Sequence, residues 1–307
     1  MKNQTIYPLI IIGGGPAGLT ASIYASRYGI KNLLLTESPG GTIAYSHSVG
    51  NWPSEIEISG IELTQKFEKS ARHYGGEIEY EKVVLINKKA DLFEILTNEN
   101  HTFLAKAILL TIGTKRRKLN IESEAKFINH GVNYCATCDG SLYKNKTVVV
   151  VGGGNAGVGS ALILSKIAKK IYLLESLPEL RAEKVWLDDL AKTETEIILN
   201  NQIIEIAGDK EVEKIILAKD YNGSREIKTD AVFVEIGVNP QSDLVDALNL
   251  EKDEWGYVKV NPKQLTSVPG IWAAGDITSE SDHFQQVLTA CAEGAIAINS
   301  INQFLKK

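Results

Sequence analysis

Unbroken apolar runs, each followed at once by glycines, set the reading of this chain. Pro8-Leu-Ile-Ile-Ile12 has no polar position to turn toward water, so it predicts a parallel strand covered on both faces. Gly13-Gly-Gly-Pro-Ala-Gly18 follows, then an apolar-periodic stretch that predicts a helix through Tyr28. A second run, Asn32-Leu-Leu-Leu-Thr36, ends on Glu37, roughly two dozen positions after Gly13. Strand, turn, helix, strand and acidic residue make a βαβ unit with G-x-G-x-x-G at its turn. Gly13, Gly15 and Gly18, with Pro16 and Ala17 between them, let the backbone approach a pyrophosphate. The helix N-terminus favours that charge, and Glu37 is placed to accept from a ribose diol.

The same order recurs. Thr147-Val-Val-Val-Val151 predicts a strand, and Gly152, Gly154 and Gly157 the turn. Val158 to Ala168 predicts the helix, and Lys170 to Leu174 a second strand that ends on Glu175. One G-x-G-x-x-G is weak evidence, but two copies with every part in place are strong. Near the C-terminus, Val268 to Asp276 reads as a strand breaking at Gly275, with Asp276 at the mouth of a following helix. There Asp276 could accept from a sugar-alcohol hydroxyl of a cofactor held by the first unit. The expected fold is α/β: two Rossmann-like three-layer dinucleotide-binding domains, the second inserted into the first. Residues 1–114 and 243–307 form the discontinuous first domain, and 115–242 the inserted one. The crossovers are expected at Gly113 to Arg117 and at Gly237 to Ser242.

Just upstream of the second turn lies Cys135-Ala-Thr-Cys138-Asp139-Gly140. A redox-active dithiol between two dinucleotide units implies an electron relay, with a flavin at one site and a hydride source at the other. A lone C-x-x-C lacks the second ligand pair of a zinc site, so no metal is expected. Only a thiolate is a good nucleophile, so one sulfur attacks while the other resolves the mixed disulfide. A carboxyl directly after Cys138 is placed to move the proton of the leaving thiol.

Composition narrows the classes. With 44% hydrophobic and 23% charged residues, the 307-residue chain reads as a soluble protein of about two domains. A net charge of −5 argues against a general nucleic-acid partner. No apolar run nears the roughly 20 residues that span a bilayer, so no membrane partner is expected. The first strand starts too early to leave room for a signal peptide. Three cysteines, two of them in one C-x-x-C, fit a reducing cytoplasm. Cys291, flanked by alanines, reads as core packing, and the run Lys115 to Lys118 as a solvated linker.

With these residues in hand, the chain resembles the low-molecular-weight thioredoxin reductases nearly end to end. The resemblance rests on the first glycine turn, Gly40-Gly41, Asn51-Trp52-Pro53, Thr111-Ile-Gly113, the Cys135 to Gly140 hexapeptide and Gly275-Asp276. It implies a homodimer with one FAD per subunit and a thioredoxin-like protein as electron acceptor. It further implies that Cys138 lies nearest the flavin, that Cys135 attacks the acceptor disulfide and that Asp139 is the general acid/base. FAD would be held by Gly13, Gly15, Pro16, Ala17, Gly18, Glu37, Gly41, Asn51, Gly113, Gly275, Asp276, Gln286 and Val287. The inner site would be lined by Gly152, Gly154, Gly157, Glu175 and Arg181.

The chain departs from that pattern at the electron inlet. Members using NADPH carry His-Arg-Arg and a further Arg after the second inner strand. Here the matching residues are Glu175-Ser176-Leu177, and only Arg181 remains. Glu175 would repel a 2′-phosphate and welcome a 2′-hydroxyl, which disfavours NADPH and favours NADH. Gly159-Ser160 replaces two glutamates usual in the family, which keeps open a ferredoxin donor that bypasses nicotinamide. Ser141-Leu142-Tyr143 replaces paired aromatics on the acceptor side, and Gln285 stands where Arg or Lys is common beside the flavin. A flavin redox sensor without turnover is the remaining alternative.

Overall fold

The computed structural model describes residues 5–46, 48–241 and 243–306. The chain divides into two compact units, Met1–Lys115 with Pro240–Lys307, and Arg116–Asn239. Ser242, the expected end of the return crossover, lies outside the described residues.

The first unit opens with β1 (Ile6–Ile12), α1 (Pro16–Arg27), β2 (Asn32–Leu35), α2 (Gly60–His73) and β3 (Glu77–Glu79). β1 is central because its last four residues are apolar and buried, so both faces need cover. Pro16 opens α1, where a missing N–H costs nothing, and Gly29 at φ +73° ends it. Ser59 and Glu62 cap α2 reciprocally. An antiparallel run, β4 (Val83–Lys89), β5 (Leu92–Thr97) and β6 (Thr102–Leu110), returns the chain beside β1. The short strand β7 (Thr114–Arg116) then leads out of this unit.

In the second unit β8 (Val132–Asn133) and α3 (Ala136–Asp139) precede β9 (Thr147–Val151), α4 (Asn155–Leu164), β10 (Lys170–Leu174), α5 (Lys184–Leu190) and β11 (Glu196–Ile198). β12 (Ile203–Ala207), β13 (Lys214–Tyr221) and β14 (Ser224–Lys228) form an antiparallel sheet, and β15 (Ala231–Val234) completes the parallel one. Its order is β11-β10-β9-β15-β8, which places the reversal of strand order between β9 and β15. One face packs on the helices through Val148, Val150, Leu164 and Leu190. The other packs on the antiparallel sheet through Val149, Val151, Ile215 and Leu217, so the third layer is sheet and not helix. α4 begins at Asn155, ahead of the expected Val158, because Gly154 in extended backbone can cap it directly.

The chain returns through β16 (Val238–Pro240), α6 (Asp243–Ala247), β17 (Ile271–Ala273) and α7 (Val287–Leu305). β6 pairs with β5 over its first half and with β17 over Ile108–Leu110, so β17 extends the parallel core. α7 lies against α1 at small residues: a Cβ on Gly294 would sit 2.3 Å from the Ala17 carbonyl oxygen. The opposite face of this sheet is covered in part by Val245, Leu250 and Val258. No described helix is long and apolar enough to cross a membrane.

Candidate active site

The first glycine turn is built from close approaches that exclude side chains. Gly13, at φ +111°, stacks on Thr111, whose carbonyl oxygen would lie 2.3 Å from any Cβ there. A Cβ on Gly18 would come within 2.0 Å of the Gly13 carbonyl oxygen. Gly15 is different, because a Cβ would meet nothing within 4 Å. Gly41, at φ +54°, faces it with its own Cβ position 3.5 Å from the Gly15 Cα. Two glycines thus line an open cradle at the start of α1, where no side chain caps the helix amides. Backbone N–H groups free of a cap beside an open cradle suit a pyrophosphate. Glu37, its side chain 71% exposed and in a direct but exposed ion pair with Lys82 at 3.2 Å, stands clear just past the end of β2. Such an exposed pair holds the carboxylate weakly and leaves it available to a ribose.

Several expected ligands of that cofactor meet on the C-terminal segment. Asn51 donates through Nδ2 to Gln286 Oε1 at 2.9 Å, although the two are far apart in sequence. Val287 packs beside Val49, Ile58 and Leu63. Gly113, at φ +65°, has open space where its Cβ would be. Asp276 does not sit at a helix mouth as expected, since α7 starts only at Val287. Instead residues 275–286 form a loop, which Gln285 ties back by donating through Nε2 to the Asp276 carbonyl at 3.3 Å. Burial, and next the neighbouring Glu293, push the Asp276 carboxyl up to about 6. Cys291 is buried in α7, and burial raises its thiol to about 11, which keeps it inert.

In the second unit Cys135 and Cys138 are joined as a disulfide at the start of α3. The Cys138 N–H donates to Cys135 Sγ at 3.1 Å, and the Asp139 N–H to the Cys135 carbonyl at 3.0 Å. Gly140 keeps α3 close to α4, its Cβ position being 3.2 Å from Leu164 Cδ2. The dithiol is therefore braced on the helix that starts at the second glycine turn. Cys138 is exposed and Cys135 is buried at 9%. Ser141 and Leu142 are exposed beside them, whereas Tyr143 turns inward against Phe233.

The second turn repeats the first in its glycines but not in its carboxylate. A Cβ on Gly152 would lie 2.2 Å from the Glu235 carbonyl oxygen, one on Gly157 would lie 1.8 Å from that of Gly152, and Gly154 is open. Glu175, unlike Glu37, is folded inward and only 6% exposed. It accepts from the Gly153 N–H at 2.6 Å, the Leu177 N–H at 3.0 Å and Ser176 Oγ at 2.9 Å. Burial opposes its charge, but those donors prevail and hold its pKa below the ordinary carboxylate range. Arg181 is exposed, and its backbone N–H donates to the Gly153 carbonyl at 2.8 Å.

Two carboxylates buried beside the glycine turns escaped the sequence reading. Glu235 directly follows β15, at the reversal of strand order. It accepts from Ser160 Oγ at 2.9 Å and pairs with Arg116 at 3.2 Å. The basic run is thus no free linker: Arg116 is spent on Glu235, and Arg117 donates through Nε to the Val238 carbonyl at 2.8 Å. The available signal was an internal one, since Glu235-Ile236-Gly237 repeats the spacing of Thr111-Ile112-Gly113. Arg116→Ala strands a carboxylate that is only 8% exposed, and should cost about 3 kcal/mol of second-unit stability in urea unfolding. A loss below about 0.5 kcal/mol would show the pair to be energetically idle. The second, Glu293 on α7, has no sequence signal at all.

Comparison with known proteins places this geometry. Residues 7–294 match the pyridine nucleotide-disulphide oxidoreductase family. A thioredoxin reductase of Treponema pallidum (strain Nichols) is 35% identical over 98% of this chain and 98% of its own length. A 34.2 kDa protein in rubredoxin operon of Clostridium pasteurianum is 37% identical over 97% of this chain and 96% of its own. The crystal structure of Lactococcus lactis thioredoxin reductase in its FR conformation superposes with a TM-score of 0.92 at 31% identity, covering 98% of this chain and 99% of that one. The chain belongs to the pyridine nucleotide-disulphide oxidoreductases, in the branch of the low-molecular-weight thioredoxin reductases.

Proposed function

We propose that the protein is an FAD-dependent thioredoxin-disulfide reductase working as a cytoplasmic homodimer. The observation that carries this reading is the disulfide at the start of α3, in a chain whose first glycine turn offers an open, uncapped cradle. Gly13, Gly15, Gly18, Gly41 and Glu37 would hold the adenosine and pyrophosphate portion of FAD, and Asn51, Gly113, Asp276, Gln286 and Val287 the remainder. When bound, the flavin supplies a two-electron carrier between donor and disulfide.

The remaining chemistry belongs to the cysteines. Two electrons and two protons open the Cys135–Cys138 bond to a dithiol. Cys135, whose Sγ accepts from the Cys138 N–H, attacks the acceptor disulfide as its thiolate and forms a mixed disulfide. Cys138 then attacks Cys135, which restores the intramolecular disulfide and releases the acceptor as a dithiol. Asp139 would carry the proton to the departing sulfur. The exposure of Cys138 favours a second order in which the two sulfurs exchange roles. Trapping decides between them: Cys138→Ser should accumulate a mixed disulfide with thioredoxin, and Cys135→Ser should not. The reverse pattern would assign the attack to Cys138.

For the donor, the anionic Glu175 supports NADH over NADPH, since it opposes a 2′-phosphate. Anaerobic bleaching of the flavin by NADH should therefore be at least about tenfold faster than by NADPH at equal concentration. Bleaching by neither, with rapid reduction by ferredoxin, would transfer the inlet to a protein donor. The open Gly154 and the intact inner turn support keeping nicotinamide first.

A further inference from the structure

We propose that Glu293 is the positioning residue of the flavin site, the group that shapes the 275–286 loop and sets the working state of Asp276. This inference rests on reading the first turn as the FAD site. Glu293 is only 5% exposed and sits two turns into α7. Its Oε2 accepts from the Gly275 N–H at 2.7 Å and Thr278 Oγ1 at 3.1 Å, and its Oε1 from Ser281 Oγ at 2.7 Å. One buried carboxylate thus gathers three points of the loop, the first of them adjacent to Asp276. A group accepting three donors at this depth is fixed in place.

The loop also holds backbone strain that needs such an anchor. Ser281, Asp282 and His283 lie at φ +53°, +51° and +55°, three consecutive non-glycine residues in the left-handed region. Strain of this kind persists only where the surroundings impose it, and it gathers at functional sites. Glu293 secures the Ser281 end. At the other end His283 faces Asp253 Oδ2 at 3.3 Å and packs on the Tyr257 ring at 4.7 Å between centroids. Beyond the turn come Gln285 and Gln286, both tied into the same site. Glu293 therefore places the stretch that carries Asp276, Gln285 and Gln286 without needing to touch the cofactor itself.

Glu293 acts on Asp276 by charge as well as by shape. The other titratable groups lining the hollow around Asp276 are Glu293 from α7 and Glu280 and His283 from the loop. Burial and Glu293 raise Asp276. A hydroxyl donor on FAD is accepted by the ionised form, so FAD affinity should fall as the pH drops through about 6. Burial raises the Glu293 carboxyl as well, so the two titrate against each other; removing the Glu293 charge lowers Asp276 and moves that fall to lower pH.

The test measures FAD dissociation from the whole protein by flavin fluorescence across acid to neutral pH, with far-UV circular dichroism reporting the fold. Glu293→Gln should weaken FAD binding about tenfold to a hundredfold at neutral pH and shift the pH midpoint downward. Unchanged affinity with an unchanged midpoint overturns the proposal. So does weakened binding with an unmoved midpoint, which would reduce Glu293 to a purely structural role. If Glu293→Gln does not fold, Ser281→Ala decides: a severalfold weaker FAD affinity supports the anchor, and wild-type affinity overturns it. Failure of the wild-type protein itself to bind FAD would instead overturn the reading on which the inference rests, and the inference with it.

Discussion

Cys138→Ser is expected to lower steady-state reduction of a thioredoxin disulfide by at least about a thousandfold, with flavin content unchanged. The size follows from the chemistry, because the resolving or entering sulfur has no substitute. The only other described free thiol, Cys291, is buried and raised to about 11. Ser in place of Cys adds no bulk at an exposed position, so the fold should survive. Cys135→Ser should have an effect of the same order. A variant that keeps more than about a tenth of the wild-type rate would mean that electrons leave by another route.

Gly18→Ala is expected to remove most bound FAD and to cost the first unit about 3 kcal/mol or more. The new methyl group would lie 2.0 Å from the Gly13 carbonyl oxygen and 2.7 Å from Thr111 Oγ1. Gly13 cannot retreat, since it is itself pressed on the Thr111 backbone at φ +111°. Gly157→Ala makes the same collision with the Gly152 carbonyl, at 1.8 Å, in the other unit. It should leave FAD in place while damaging the inner turn. Flavin absorbance per chain and unfolding midpoints for the two variants check this contrast. Equal flavin loss in both would contradict the assignment of FAD to the first turn.

Both turns and the dithiol were legible in the sequence because their constraints are local. A glycine pressed on a neighbouring carbonyl tolerates no substitute, and a C-x-x-C needs only three steps of chain to close. What the sequence concealed depends on contacts between distant positions. The inward fold of Glu175 is fixed by the Gly153, Leu177 and Ser176 donors, and no spacing rule separates it from the exposed Glu37. The Arg116–Glu235 pair joins residues 119 apart and turns an expected solvated run into a buried tie. α7 begins later than the Asp276 motif suggests, because the intervening loop satisfies its polar groups on Glu293 rather than by continuing as helix. Asn155-Ala-Gly157 shows no apolar period, which hid the first turn of α4.

The central claim is that a flavin and the Cys135–Cys138 disulfide are two redox centres working in series. Anaerobic titration of the purified protein with dithionite tests it most directly. The account predicts uptake of about four electrons per chain, two by FAD and two by the disulfide, falling to about two in Cys138→Ser. Uptake of about two electrons by the wild-type protein, unchanged in that variant, would contradict it.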